Sequence, residues 1–207
     1  LKGFMREILG LSPVIPVVMI EDAGDAVPMA RALLAGGLRS VEITLRTPAA
    51  LEAIRLVAAG APELMVGAGT ILNLADLDAS VEAGAGFFVS PGLTPVLLAE
   101  TAARGLPYLP GIATAAEIMQ ALEHGFDALK LFPAAQLGTE TLKAFSGPFP
   151  QVSFCTTGGI SRDNAAEFLA LANVACVGAS WVATPALLAG KDWAAIEANA
   201  RFAAGLA

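Results

Sequence analysis

Short apolar runs rich in β-branched and aromatic residues alternate along this chain with longer stretches in which Ala and Leu recur at helical spacing. Eight such runs occur, at residues 14–20, 40–44, 65–68, 87–90, 108–112, 128–132, 153–156 and 174–178. Helical patterns follow at 25–35, 49–59, 74–83, 95–104, 115–123, 140–145, 163–170 and 193–204. The runs begin 20 to 26 residues apart, about the length of one strand, loop, helix and return loop. Parallel strands need such crossovers, because a tight hairpin cannot join them. The pattern predicts an α/β fold, a single (β/α)8 TIM barrel over residues 1–207, with a short helix at 2–9 plugging its bottom. An open doubly wound sheet would use the same alternation, but eight comparable units in so short a chain favour closure. No low-complexity stretch or Ser/Pro linker marks an internal boundary.

Composition narrows the choice of partner. Hydrophobic residues make up 56% and charged residues 15%, which excludes a disordered chain and requires a large core. A net charge of -7 offers no broad positive field, so neither nucleic acid nor a membrane surface is expected as a partner. A small anionic ligand would need locally placed cations. Residues 8–20 are uncharged, but Pro13 and Pro16 interrupt them, and they read as the first buried strand rather than a secretory peptide. Residues 168–190 are uncharged over a membrane-spanning length. Asn173, Gly178, Ser180, Thr184 and Pro185 make helix, strand and loop the better reading. Cys155 and Cys176 lie in apolar surroundings with no disulfide framework and read as reduced structural thiols of a cytoplasmic protein.

In a parallel barrel, chemistry gathers at the C-terminal ends of the strands, so polar residues there carry the most information. Lys130 is one of four lysines and sits inside the apolar run Ala-Leu-Lys-Leu-Phe-Pro-Ala. Apolar surroundings favour a neutral amine, the nucleophile that forms a Schiff base with a carbonyl. In the run Val41-Glu42-Ile43-Thr44-Leu45-Arg46, strand alternation puts Glu42, Thr44 and Arg46 on one face. Glu42 suits proton transfer, and Arg46 offers a planar fork for a carboxylate. The plainer readings are a Glu42–Arg46 or a Glu42–Lys130 ion pair. Gly67-Ala68-Gly69-Thr70 lacks the third glycine of a dinucleotide fingerprint, Leu72 standing in its place. It serves as a turn with close backbone approach and a hydroxyl. Ser90-Pro91-Gly92 ends the fourth run in a similar way. Thr156-Thr157-Gly158-Gly159-Ile160 and Gly178-Ala179-Ser180-Trp181 end the last two runs, where barrels commonly bind phosphate on backbone N–H groups. His124, the sole histidine, reads as a surface or helix-capping residue, and no His/Cys/Asp cluster has metal-ligand spacing. Trp181 and Trp193 read as packing residues.

Taken in order, Val41-Glu42-Ile43-Thr44-Leu45-Arg46-Thr47, Gly67-Ala68-Gly69-Thr70, Ser90-Pro91-Gly92, Lys130-Leu131-Phe132-Pro133-Ala134 and Thr157-Gly158-Gly159-Ile160 resemble the 2-keto-3-deoxy-6-phosphogluconate (KDPG) and 4-hydroxy-2-oxoglutarate (KHG) aldolase family over essentially the whole chain. The resemblance implies a homotrimeric (β/α)8 class I aldolase that needs no metal or other cofactor. It implies cleavage of a keto-deoxy sugar acid phosphate to pyruvate and glyceraldehyde 3-phosphate in the Entner-Doudoroff pathway, and of 4-hydroxy-2-oxoglutarate to pyruvate and glyoxylate. By resemblance, Lys130 is the Schiff-base lysine and Glu42 the general acid/base. Arg46 and Thr70 hold the pyruvyl carboxylate, while Pro91 and Phe132 shape the pocket. Thr157 meets the sugar hydroxyls, and Gly158, Gly159 and Ser180 hold the phosphate. The chain departs from the family pattern at Thr156, usually Pro, and at Ala179, often Gly. If position 179 required a positive φ, Ala there would be strained and the phosphate loop displaced. The residues alone leave two rivals: a noncatalytic phosphosugar-binding barrel, and a phosphosugar epimerase or isomerase of the same fold.

Overall fold

A computed structural model describes residues 4–206. Strands β1 (Val14–Val18), β2 (Ser40–Thr44), β3 (Met65–Gly69), β4 (Phe87–Val89), β5 (Tyr108–Leu109), β6 (Gly111–Ile112), β7 (Ala128–Leu131), β8 (Ser153–Thr157) and β9 (Val174–Ala179) pair in parallel in the order β5-β4-β3-β2-β1-β9-β8-β7-β6. The two ends of that row, β5 and β6, are separated only by Pro110, so they are halves of one strand and the sheet closes on itself. The predicted fifth run is therefore present but divided. Pro110 has no N–H to continue the ladder, yet its carbonyl still accepts from the Lys130 N–H at 2.9 Å. Closure gives the (β/α)8 barrel and excludes the open sheet.

Helices α1 (Phe4–Leu9), α2 (Ala26–Ala35), α3 (Ala50–Gly60), α4 (Leu74–Glu82), α5 (Pro95–Ala103), α6 (Ala115–Glu123), α7 (Ala134–Ser146), α8 (Ala165–Leu169), α9 (Pro185–Ala189) and α10 (Trp193–Ala204) complete the fold. Their starts follow local chemistry. Asn73, Thr94, Thr114, Thr184 and Asp192 cap five of them, and Thr114 with Glu117 forms a reciprocal capping box. One prediction needs correcting. The pattern at 140–145 belongs to a helix that begins at Ala134, because Gly138, at φ 76° and ψ 168°, interrupts its period. The short helix α9 was hidden in the uncharged stretch 168–190, where Pro185 stands at its permitted first position. Among the described residues no helix is long and apolar enough to cross a membrane.

Alternation along the strands sorts two cores. Ile15, Phe87, Val89, Leu109, Ala128, Cys155 and Cys176 fill the barrel interior, whereas Val41, Ile43, Leu129, Leu131 and Phe154 pack outward with the helices. Met5, Ile8 and Leu9 of α1 join the inner cluster and close the bottom as expected; Lys2 lies outside the described residues. Arg6 ties this plug to Asp127 at 3.3 Å and to the Gln151 carbonyl. The interior is thus sealed with apolar atoms at the N-terminal end. Its polar residues lie nearer the C-terminal end.

Candidate active site

Lys130, third residue of β7, follows the interior residue Ala128 at strand period and so enters the barrel. Its side chain meets that of Glu42 from β2: Nζ donates to Oε1 at 3.4 Å, and the two residues are only 5% and 3% exposed. The chain elements contributing them lie 88 residues apart in sequence. Glu42 thus pairs with Lys130 rather than with Arg46. Two charges this deep lose hydration that their attraction only partly returns, so the pair is poor evidence of stability and better evidence of chemistry. An amine and a carboxylate in contact can pass a proton between them and to a third group, and the amine, once neutral, can attack a carbonyl.

Glycine makes the room for this pair. A Cβ on Gly69 of β3 would overlap Glu42 Oε1 and crowd its Cγ and Cδ. Thr44, two residues beyond Glu42 on the same face, is also buried and donates to the Val18 carbonyl at 3.1 Å, fastening β2 to β1 below the opening. Neither role was evident from sequence, because the register that sets Thr44 beside Gly69 only exists once the strands pair. The Pro91 turn folds over β6, where a Cβ on Gly111 would overlap the Pro91 carbonyl, and Gly111 is the register partner of Lys130. On the other flank the Phe132 ring lies 5.6 Å from Lys130 Nζ. Leu131 packs outward, away from the amine.

Toward the rim the site becomes open and polar. Arg46 lies past the end of β2 on the exposed side, and its Nε donates to Thr70 Oγ1 at 3.3 Å. Thr70 holds that position with φ 63°, a left-handed backbone that a β-branched residue rarely adopts. Strain of this kind is tolerated where function demands a geometry. Arg46 and Thr70 therefore form a polar unit above Glu42. Thr157, last residue of β8, is buried beside Gly178, whose missing side chain makes space for its hydroxyl.

Gly158 and Gly159 follow, both at positive φ (97° and 75°), a conformation that glycine adopts without steric cost. Side chains at either glycine would meet Phe132 or Ala135. Ser180 is exposed at the end of neighbouring β9. Ala179 is the last strand residue of β9 and is not at positive φ, so an Ala there carries no backbone strain. Thr156 is buried and turned from the interior, and its Oγ1 has no hydrogen-bond partner among the described residues.

The two cysteines occupy the interior beside the lysine: Lys130, Cys155 and Cys176 are register partners across β7, β8 and β9. Both are free and buried. The Cys176 thiol, by its hydrogen bond to Cys155, and the nearby Lys130 charge hold the Cys155 thiol below its ordinary value. The same hydrogen bond, together with burial, holds Cys176 well above it. His124 ends α6, its ring contacting the Gln120 carbonyl, and it lines a cleft of about 190 Å³ at the N-terminal end of β5 and β7, remote from the site described above. Among the described residues no group of three or more His, Cys, Asp or Glu side chains could hold a metal ion.

A closed parallel barrel with an amine and a carboxylate in contact inside it, below an arginine at the rim, defines a class of barrel in which an amine can attack a carbonyl compound. The family model for KDPG and KHG aldolase matches residues 5–199, and the chain belongs to that family. The KHG/KDPG aldolase of Escherichia coli K12 is 47% identical over 201 residues, covering 97% of this chain and 94% of its own. The KDPG aldolase of Zymomonas mobilis ZM4, solved with 3-phosphoglycerate, superposes with a TM-score of 0.95 at 45% identity, covering 100% of this chain and 98% of that one. A KDPG aldolase from Legionella pneumophila, solved with pyruvate captured as a covalent carbinolamine, gives a TM-score of 0.95 at 42% identity, covering 97% and 98%.

Proposed function

We propose that this protein is a class I aldolase that cleaves 2-dehydro-3-deoxy-6-phosphogluconate to pyruvate and glyceraldehyde 3-phosphate. The observation that carries the reading is the buried contact between Lys130 and Glu42 at 3.4 Å. The neutral amine of Lys130 adds to the C2 ketone, and loss of water leaves an iminium. Glu42, directly or through water, takes the proton of the C4 hydroxyl. The C3–C4 bond breaks, its electron pair flows into the iminium to form an enamine, and the aldehyde departs. The enamine is protonated at C3, and water hydrolyses the imine to release pyruvate and the free amine.

Arg46 and Thr70 take the C1 carboxylate, Arg46 through its planar fork. Pro91 and Phe132 flank the reacting carbons, Thr157 meets the hydroxyls, and Gly158, Gly159 and Ser180 receive the phosphate. The same centre would cleave 4-hydroxy-2-oxoglutarate to pyruvate and glyoxylate, a reaction that needs no phosphate contact. In this reading the protein works in the Entner-Doudoroff pathway, in the cytoplasm, where its buried Cys155 and Cys176 stay reduced. It works as a homotrimer. Pyruvate release from the phosphorylated keto acid, followed with lactate dehydrogenase and NADH, tests the activity. Purified protein that releases none would refute it.

A further inference from the structure

The proposed phosphate site draws on two separate loops, and one side chain that takes no part in the proposed chemistry links them. Arg162 follows Gly159 by three residues in the loop after β8. Its guanidinium lies 5.6 Å from the ring of Trp181, which directly follows Ser180 in the loop after β9, and 4.1 Å from the ring of Phe202 on α10. Its Nη1 also donates to Asn199 Oδ1 at 3.3 Å. The Asn199 amide in turn donates to the carbonyls of Trp181 and Val182, both at 3.3 Å. On the β8 side, Asn164 Nδ2 donates to the Gly159 carbonyl at 3.1 Å while its Oδ1 accepts from the Ser161 N–H at 2.8 Å. Asn164 thus fixes the first loop, Asn199 fixes the second, and Arg162 bridges them. Arg162 forms no ion pair among the described residues, so its charge also adds to the local potential in an otherwise acidic protein.

We propose that Arg162 is a positioning residue that sets the separation of the two phosphate loops and so determines how strongly the enzyme favours phosphorylated substrates. The proposal rests on the reading of Gly158, Gly159 and Ser180 as the phosphate site. The guanidinium is held by attraction to two aromatic rings set at 70° to each other, nearer to Phe202 than to Trp181, while its Nη1 reaches Asn199. Cutting that tie frees the loops to separate and weakens binding of a dianion that must touch both. Lys130 and Glu42, within the barrel, keep their contact.

The test compares Arg162→Ala and Arg162→Lys with the parent protein in two assays. One is cleavage of the phosphorylated keto acid, with inorganic phosphate as inhibitor. The other is exchange of the methyl protons of pyruvate with solvent deuterium, which uses the imine and the proton carrier but no phosphate. Arg162→Ala is expected to raise KM for the phosphorylated substrate and the inhibition constant of phosphate by about tenfold, with pyruvate exchange unchanged. Arg162→Lys, which keeps a cation but loses the fork, is expected to fall between the two. Asn199→Ala, cutting the same tie from α10, should repeat the pattern. Equal losses in both assays, or no change in KM, would overturn the clamp. A parent protein that exchanges pyruvate protons but is indifferent to phosphate would instead overturn the phosphate-site reading, and the clamp with it.

Discussion

Glu42 reaches Lys130 because Gly69, on the neighbouring strand, presents no side chain where the carboxylate lies. Gly69 is not at positive φ, so alanine fits its backbone, and Gly69→Ala displaces the carboxylate without straining β3. Misplacing a reacting group by about 1 Å costs on the order of a hundredfold in rate, so kcat should fall by about that factor. The same change in a Glu42→Gln background should add little, because the carboxylate it displaces is already gone; equal losses in both backgrounds would mark Gly69 as a general packing residue. Thr70 makes the opposite bargain, holding a left-handed backbone to present its hydroxyl to Arg46. Thr70→Gly should stabilise the fold by about 1 kcal/mol, measured by urea unfolding, while raising KM for the keto acid. Loss of stability in that variant would show that any strain at φ 63° is smaller than what the Thr70 side chain contributes through its bond to Arg46 and its restriction of the unfolded chain.

At the level of single strands, β8 carries one inward and one outward lesson. Thr157 and Cys155 face the interior together, two residues apart on β8; Lys130 and Glu42 with Thr44 were legible in the sequence because each is a polar residue inside an apolar strand. Thr156 points into the helix layer with its hydroxyl unpaired, a fault that sequence cannot reveal because the partners come from other elements. Thr156→Val keeps the shape and removes the buried hydroxyl, and should raise stability by about 1 kcal/mol with activity intact. Tyr108 of β5 is the contrasting case, its phenol buried against Ser90 at 2.6 Å. Burial, partly opposed by that bond, pushes its pKa up from 10.0 to about 12. The folded state therefore holds the phenolic proton more tightly than the unfolded chain does. This contribution is complete below pH 10 and disappears as pH rises to about 12. At about 1.4 kcal/mol per unit, two units amount to about 3 kcal/mol. Urea titrations across that range should show the alkaline loss in the parent protein and a shallower one in Tyr108→Phe.

For the molecule as a whole, eight repeats were enough to expect closure, and the row of strands ending in the two halves of one strand around Pro110 completes it. The places where sequence reading fell short share a cause. Gly138 hides the first turns of α7 by breaking the helical period, and the Arg162 bridge depends on Trp181, Asn199 and Phe202, which belong to distant loops and helices. Local pattern reports local structure and the inward face of a strand; contacts between loops appear only after folding. The overall charge of -7 does not oppose an anionic substrate, since Arg46 and Arg162 stand on the loops at the rim. All of the proposed chemistry passes through the Lys130 amine, and borohydride reduction in the presence of pyruvate examines that step directly. Peptide mapping should then find Lys130 alone carrying the mass of one pyruvate, less water and plus two hydrogens, as cleavage activity is lost in step. An unmodified Lys130 in protein that is still being inactivated, or the adduct on another lysine, would contradict a Schiff base at this position.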